Sequence, residues 1–190
     1  MQRIFVIAGP TNTGKDTIIN RLLQMPELNL VKVVTSTSRP PRPNEIDGKD
    51  YHFYTEEEFL KKIKNDEFFE WAFVHTNYKG IEKSSIYNKI PSDKDIILQV
   101  DIQGYKSLKK LLDFSKYKLI GIFVSPPSID ELKRRMKLRG TETDPIDIKA
   151  RLENAEYEMA HKDIFDYQVI NDDLDTCINE IVNIIKENQL

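Results

Sequence analysis

Apolar residues follow two rhythms along this chain. Short unbroken runs, Ile4-Phe5-Val6-Ile7-Ala8, Ile96-Ile97-Leu98-Gln99-Val100 and Leu119 to Val124, fit parallel strands buried on both faces. Leu30 to Thr35 reads as a second, valine-rich strand, and Tyr167 to Ile170 as a short last one. Between them the apolar spacing turns helical. Thr55 with Glu58 forms a capping box that opens a helix through about Asn65. Helical pattern resumes at Gly104. Ser128 with Glu131 makes a second capping box before helices from Ile129 to Arg139 and from Ile146 to about Ala160. A closing amphipathic helix, Asp173 to Glu187, puts Leu174, Cys177, Ile178, Ile181, Ile184 and Ile185 on one side. Strands alternating with helices predict an α/β fold with a parallel sheet and ligands at the strand C-terminal ends. Val34 to Asn88 breaks the rhythm. It is aromatic-rich and charged, and is read as an inserted subdomain.

Composition narrows the picture. The 190 residues suffice for one domain with a sizeable core. A net charge of −3 argues against nucleic-acid binding driven by bulk charge, while leaving room for a local basic cleft. The single cysteine, Cys177, excludes an intramolecular disulfide and reads as a small buried apolar side chain in a reducing compartment. No apolar run approaches the ~20 residues of a membrane span. The first strand starts by residue 3, leaving no room for a signal peptide. The expectation is a cytoplasmic protein with neither membrane nor nucleic acid as partner.

The densest chemistry follows the first strand. Gly9-Pro10-Thr11-Asn12-Thr13-Gly14-Lys15-Asp16-Thr17 has the spacing of G-x-x-x-x-G-K-[ST], with Asp16 at the hydroxyl position. Strand, glycine-bounded loop and helix make an anion cradle of backbone N–H groups, from which Lys15 reaches the outer phosphates of a nucleoside triphosphate. A chance glycine-rich turn is the plain alternative, and the flanking patterns oppose it.

A second cluster is Arg39-Pro40-Pro41-Arg42 with Tyr51-His52-Phe53. Prolines stiffen the segment, and two guanidinium forks match phosphate oxygens bidentately. A solvated surface charge pair is the competing reading. Glu70 lies among aromatics in Phe68-Phe69-Glu70-Trp71, and Asp101 ends a buried strand. Two acceptor-only carboxylates would suit guanine, whose N1–H and exocyclic amine are donors along one edge. Glu70 alone equally fits a solvent-facing strand position, and Asp101 equally fits a role orienting water around Mg²⁺. A third cluster, Arg134, Arg135 and Arg139, then Gly140-Thr141-Glu142-Thr143 and Arg151, suits a lid closing over phosphates. Arg134 and Lys137 fit a plain solvated helix face.

With these residues in place, the chain resembles the guanylate kinase family over nearly its full length. The matching elements are Gly9 to Thr17; Ser36-Thr37-Ser38-Arg39-Pro40-Pro41-Arg42 with Glu45, Gly48 and Tyr51-His52-Phe53; Phe69-Glu70-Trp71-Ala72; Val100-Asp101-Ile102-Gln103-Gly104; Pro126-Pro127-Ser128 through Arg139-Gly140; and Val169-Ile170-Asn171-Asp172-Asp173-Leu174. The resemblance implies a three-layer P-loop NTPase fold with an inserted GMP-binding subdomain and a helical lid. The expected boundaries are a core of about 1–34, 89–128 and 160–190, an insert of about 35–88 and a lid of about 129–159. It implies phosphoryl transfer from ATP to GMP, extending to dGMP, with Mg²⁺. By position, Gly9 through Thr17 and Asn171 would bind ATP, Asn171 near the adenine or ribose. Thr35, Arg39, Arg42, Tyr51, Glu70, Lys79 and Asp101 would bind GMP. Lys15, Arg135, Arg139 and Arg151 would act in catalysis, and Asp16 would meet Mg²⁺. A monomer and a homodimer both fit.

Four positions depart from the family pattern. Asp16 replaces a Ser or Thr, which adds negative charge beside the polyphosphate. Gln99 stands where an acidic residue is usual. Lys79 replaces a phosphate-binding Tyr, and Ile81 a Ser or Thr that contacts guanine. Lysine still meets phosphate as a point charge, whereas isoleucine offers no side-chain hydrogen bond. These departures keep open a kinase of this fold acting on another nucleoside monophosphate or a sugar phosphate. A non-catalytic guanylate-kinase-like binding module is the reading from a different class, opposed by the intact phosphate loop and lid arginines.

Overall fold

A computed structural model describes residues 1–74, 76–87, 93–139 and 145–190. The chain opens with β1 (Gln2–Ala8), α1 (Lys15–Leu23) and β2 (Leu30–Lys32). Two short strands follow, β3 (Ser36–Thr37) and β4 (His52–Phe53), then α2 (Glu56–Lys64), β5 (Phe68–Val74), β6 (Asn77–Glu82) and α3 (Lys83–Tyr87). The remainder is β7 (Asp95–Gln99), α4 (Ile102–Leu111), β8 (Tyr117–Ser125), α5 (Ile129–Arg139), α6 (Pro145–Ala160), β9 (Tyr167–Ile170) and α7 (Leu174–Gln189).

Five strands form one parallel sheet in the order β2-β7-β1-β8-β9. The unbroken apolar run of β1 puts it at the centre. Ile4, Val6 and Ala8 pack on one face with Leu98, Tyr105, Leu108 and Phe123. Phe5 and Ile7 pack on the other with Ile18, Ile122, Ile181 and Ile185. Alternate residues of one strand thus join two separate cores, which gives three layers. Close packing on β8 demands a glycine. A Cβ at Gly121 would lie 2.3 Å from the Tyr105 hydroxyl, which donates to Asp166 at 2.9 Å. Asp166 also accepts the Gly121 N–H at 2.7 Å.

A second, four-stranded sheet has the order β4-β3-β6-β5. It explains why the strand read over Leu30 to Thr35 is shorter than its pattern. β2 ends at Lys32, the Val33 N–H makes one last bond to Ile97, and the chain changes sheets to pair as β3. The capping box of α2 is complete, Thr55 and Glu58 each bonding the other's backbone N–H. At Ser128 only half of the expected box forms. Its hydroxyl accepts the Glu131 N–H at 3.1 Å, while the Glu131 carboxylate is taken by Arg134 and Arg135. Helix α4 starts at Ile102, two residues before Gly104, because Asp101 caps it. Among the described residues no helix is long and apolar enough to cross a membrane.

Candidate functional site

The C-terminal ends of β1 and β7, the inner face of the second sheet and helix α6 enclose one cleft of about 1280 Å³. Its first wall is the loop after β1. Gly9 has φ 134, and a Cβ there would land 2.1 Å from the Val124 carbonyl oxygen. Only glycine lets the loop run this close to β8. Gly14, at φ 84, precedes α1 and brings no capping side chain, so the first-turn N–H groups are left for an anion. Lys15 folds back on the loop, donating to the carbonyls of Gly9 and Pro10 at 2.6 Å each. Thr13 is buried and donates to Pro10 at 2.8 Å.

Asn171 holds this loop from behind. Its side-chain amide donates to the Thr13 carbonyl at 2.8 Å and its backbone N–H to Ser125 at 2.8 Å. Its own carbonyl accepts from Arg135 at 2.9 Å. Asn171 is therefore a bridge between the loop and α5, buried at 5% exposure rather than lining the cleft.

The second wall belongs to the inserted sheet. Arg39 meets Glu45 through two bonds of 2.6 Å, and its guanidinium lies 5.1 Å from the Tyr51 ring centre and 5.5 Å from that of Phe53. The Arg42 N–H donates to the same Glu45 carboxylate at 2.7 Å. The expected pair of open forks is thus one clamped guanidinium, Arg39, beside Arg42. The Glu45 bond holds Arg39 above the usual arginine value and Glu45 below the usual carboxylate range. Burial, followed by the Asp16 charge, pushes the Tyr51 phenol up. Asp16 belongs to the first wall, so the two walls face each other at close range.

Glu70 and Ala72 on β5 oppose Ile81 and Lys79 on β6, and these four share the cleft-facing side. Glu70 reaches toward α4, where a Cβ at Gly104 would come 3.1 Å from its Oε1. Asp101 Oδ1 accepts the Gly104 N–H at 2.9 Å. Burial, reinforced by Asp101, pushes Glu70 up to about 7. Lys79 is pushed down, first by enclosure; Asp101 opposes this, and Arg39, Arg42 and Arg151 add to it. Its side chain nonetheless keeps contact with solvent.

Thr35, Arg135 and Arg151 also line the cleft, as do Thr11, Asn12 and Thr17. Pro10 and Thr13 are buried within the loop and do not line the cleft. The Arg139 side chain and the segment Gly140-Thr141-Glu142-Thr143 lie outside the described residues. Sequence reading missed Glu158, a buried carboxyl of α6 that also lines the cleft. Its signal was there to see, because Arg151, Asn154 and Glu158 are spaced three and four apart on one helix face.

This arrangement can take two phosphorylated groups end to end, one on the loop and Lys15, one on Arg39, Arg42 and Tyr51, with two carboxylates beside a base. Known proteins match the chain. The family model for guanylate kinase covers residues 1–188. The guanylate kinase of Thermotoga maritima is 43% identical over 185 residues, 97% of this chain and 86% of that protein. The guanylate kinase of Porphyromonas gingivalis is 39% identical over 182 residues, 95% of each chain. A crystal structure of guanylate kinase from Anaplasma phagocytophilum superposes with a TM-score of 0.79 at 30% identity, over 100% of this chain and 87% of that one.

Proposed function

Because this chain belongs to the guanylate kinase family, we propose that it transfers the terminal phosphoryl group of ATP to the phosphate of GMP. The observation that carries the reading is the pair of opposed phosphate walls. The glycine-bounded loop with Lys15 faces Arg39, Arg42 and Tyr51 across a single cleft. Its fold is that of P-loop NTPases. We divide it into a core, a GMP-binding insert of about 35–88 and a lid of about 129–159.

ATP phosphates would occupy the N–H cradle before α1, and Lys15 would exchange the Gly9 and Pro10 carbonyls for phosphate oxygens. Arg39, Arg42, Tyr51 and Lys79 would hold the GMP phosphate, with Thr35 alongside. Ionised Glu70 and the second oxygen of Asp101 would accept the guanine N–H groups. Arg135, Arg139 and Arg151 would draw the charge that spreads over the migrating phosphoryl group, and a closed lid would exclude water.

The residues fit a hydrated magnesium ion. Gln99 Oε1 is buried with no hydrogen-bond partner among the described residues, and Asp16 and Asp101 bring carboxylates to the same cleft. Bound with ATP, the ion would neutralise phosphate charge. Asp16 would hold it directly or through water. We place the protein in the cytoplasm, in keeping with its one buried cysteine.

A coupled assay of ADP release across GMP, dGMP, AMP, CMP, UMP and ribose phosphates tests the reading. GMP should be preferred, with dGMP next. Faster turnover of another phosphate would favour a different acceptor, for which the apolar Ile81 beside Glu70 is the motivating observation.

A further inference from the structure

Glu158 is 7% exposed on the cleft-facing side of α6. Its Oε1 accepts the Asn154 amide at 3.0 Å, and its Oε2 has no hydrogen-bond partner among the described residues. Three other elements bring charges toward it: Lys15 from α1, Asp101 from the head of α4 and Lys79 from β6. Burial pushes this carboxyl up; Lys15 pulls it down, Asp101 pushes it up, and Lys79 pulls it down. Gln99, at the end of β7, contributes a second buried oxygen with no hydrogen-bond partner among the described residues to the same cleft.

The position is costly in two ways. A buried acceptor without a partner costs about 1–3 kcal/mol, more for a charged one. An anion within reach of the charges of Lys15 and Lys79 would repel a phosphate bound there, unless a cation lies between them or the carboxyl keeps its proton. Both costs are removed together by a species that carries positive charge and several O–H donors. Among the described residues no three His, Cys, Asp or Glu side chains converge to cage a bare ion. Magnesium suits that circumstance, since it keeps several of its waters and is held through few carboxylates and the substrate phosphates.

We propose that Glu158 Oε2, together with Gln99 Oε1, accepts hydrogen bonds from the water shell of the divalent cation that enters with the nucleoside triphosphate. Glu158 is then a positioning residue for the ion, acting through water. This rests on the kinase reading only in requiring that the cleft take a metal–nucleotide complex.

The test titrates Mn²⁺, followed by electron paramagnetic resonance, into the protein saturated with a non-hydrolysable ATP analogue. Glu158→Gln keeps an oxygen for Asn154 and removes the charge. It should weaken Mn²⁺ binding about tenfold, the scale for groups that orient a metal's immediate partners. Affinity for the analogue without metal should be unchanged or tighter. Glu158→Asp keeps the charge at shorter reach. It should lose less metal affinity than the glutamine variant, and it carries the test if that variant does not fold. Wild-type Mn²⁺ affinity in Glu158→Gln overturns the proposal, as does an equal loss of metal-free analogue binding. A wild type that binds the analogue with no Mn²⁺ or binds neither overturns the kinase reading as well, which separates the two failures.

Discussion

Glu70 and Ile81 stand directly opposite each other in the antiparallel β5–β6 ladder, with both side chains on the face that lines the cleft. Directly opposed positions bring Cβ atoms to about 4.5–5.5 Å, so whatever Glu70 touches, position 81 also borders. Ile81 is 1% exposed and packs in the core cluster with Val33, Phe69 and Ile86. It adds shape beside the carboxylate and no hydrogen bond.

Ile81→Thr should therefore lower the KM for GMP, by pairing a base group otherwise left unmatched at a cost of about 1–3 kcal/mol. The same change places a hydroxyl in a packed apolar cluster, so Tm should fall. Steady-state kinetics and a melting curve read the two effects separately. A GMP KM that is unchanged or higher would show that position 81 does not border the guanine edge.

The pH dependence turns on Glu70. A glutamate ordinarily titrates near 4.5, whereas this one is pushed up to about 7. The folded state thus binds its proton more tightly than the unfolded chain does. Its contribution to stability is fully present below about 4.5 and is lost as pH rises through about 7. In the proposed role binding runs the other way, because only the ionised carboxylate would accept two guanine N–H groups. GMP affinity should fall as pH drops from 8 to 6, while Glu70→Gln should melt higher than wild type at pH 8 and lose the pH response. Calorimetric titration at several pH values checks this.

Much of this architecture was legible from the chain, and the gaps have physical causes. β1 announced itself because it is buried on both faces, and the phosphate loop because Gly9 and Gly14 adopt conformations other residues avoid. The end of β2 was not legible, since Val33 and Val34 suit either sheet and tertiary pairing alone decides where the chain crosses over. The Glu45 clamp on Arg39 was hidden because it joins residues six positions apart in an irregular turn. Glu158 was legible only as part of the helix face it shares with Arg151 and Asn154; its burial was not, because a carboxylate on a polar helix reads as solvated until the fold buries it.

Asn171 separates a structural bridge from a ligand contact. Asn171→Ala would leave the buried Thr13 carbonyl without its donor and remove the packing against Gly14. The loop should loosen, while the backbone carbonyl that accepts from Arg135 is kept. We expect the ATP KM to rise about fivefold to thirtyfold, equivalent to about 1–2 kcal/mol in apparent affinity, with the GMP KM almost unmoved. A loss confined to adenine nucleotides, with other triphosphates binding as in wild type, would place the side chain at the base instead.

Arg39 is held in place before any substrate arrives, and that fixes the last expectation. Of its five N–H donors, one is given to Pro40 and two to Glu45. The guanidinium is already fixed by these bonds and by the Tyr51 and Phe53 rings, so little side-chain entropy is left to lose on meeting a phosphate. Arg39→Ala removes a charge-assisted contact of about 1.5–3 kcal/mol and should raise the GMP KM roughly tenfold to a hundredfold. Glu45→Gln leaves the arginine charged and loosens its hold, so it should raise the same KM by a smaller factor. ATP affinity should be unchanged in both, because neither residue belongs to the loop that carries Lys15. Equilibrium titration with each nucleotide separately decides it. If either variant loses ATP while keeping GMP, the two phosphate walls have been assigned the wrong way round.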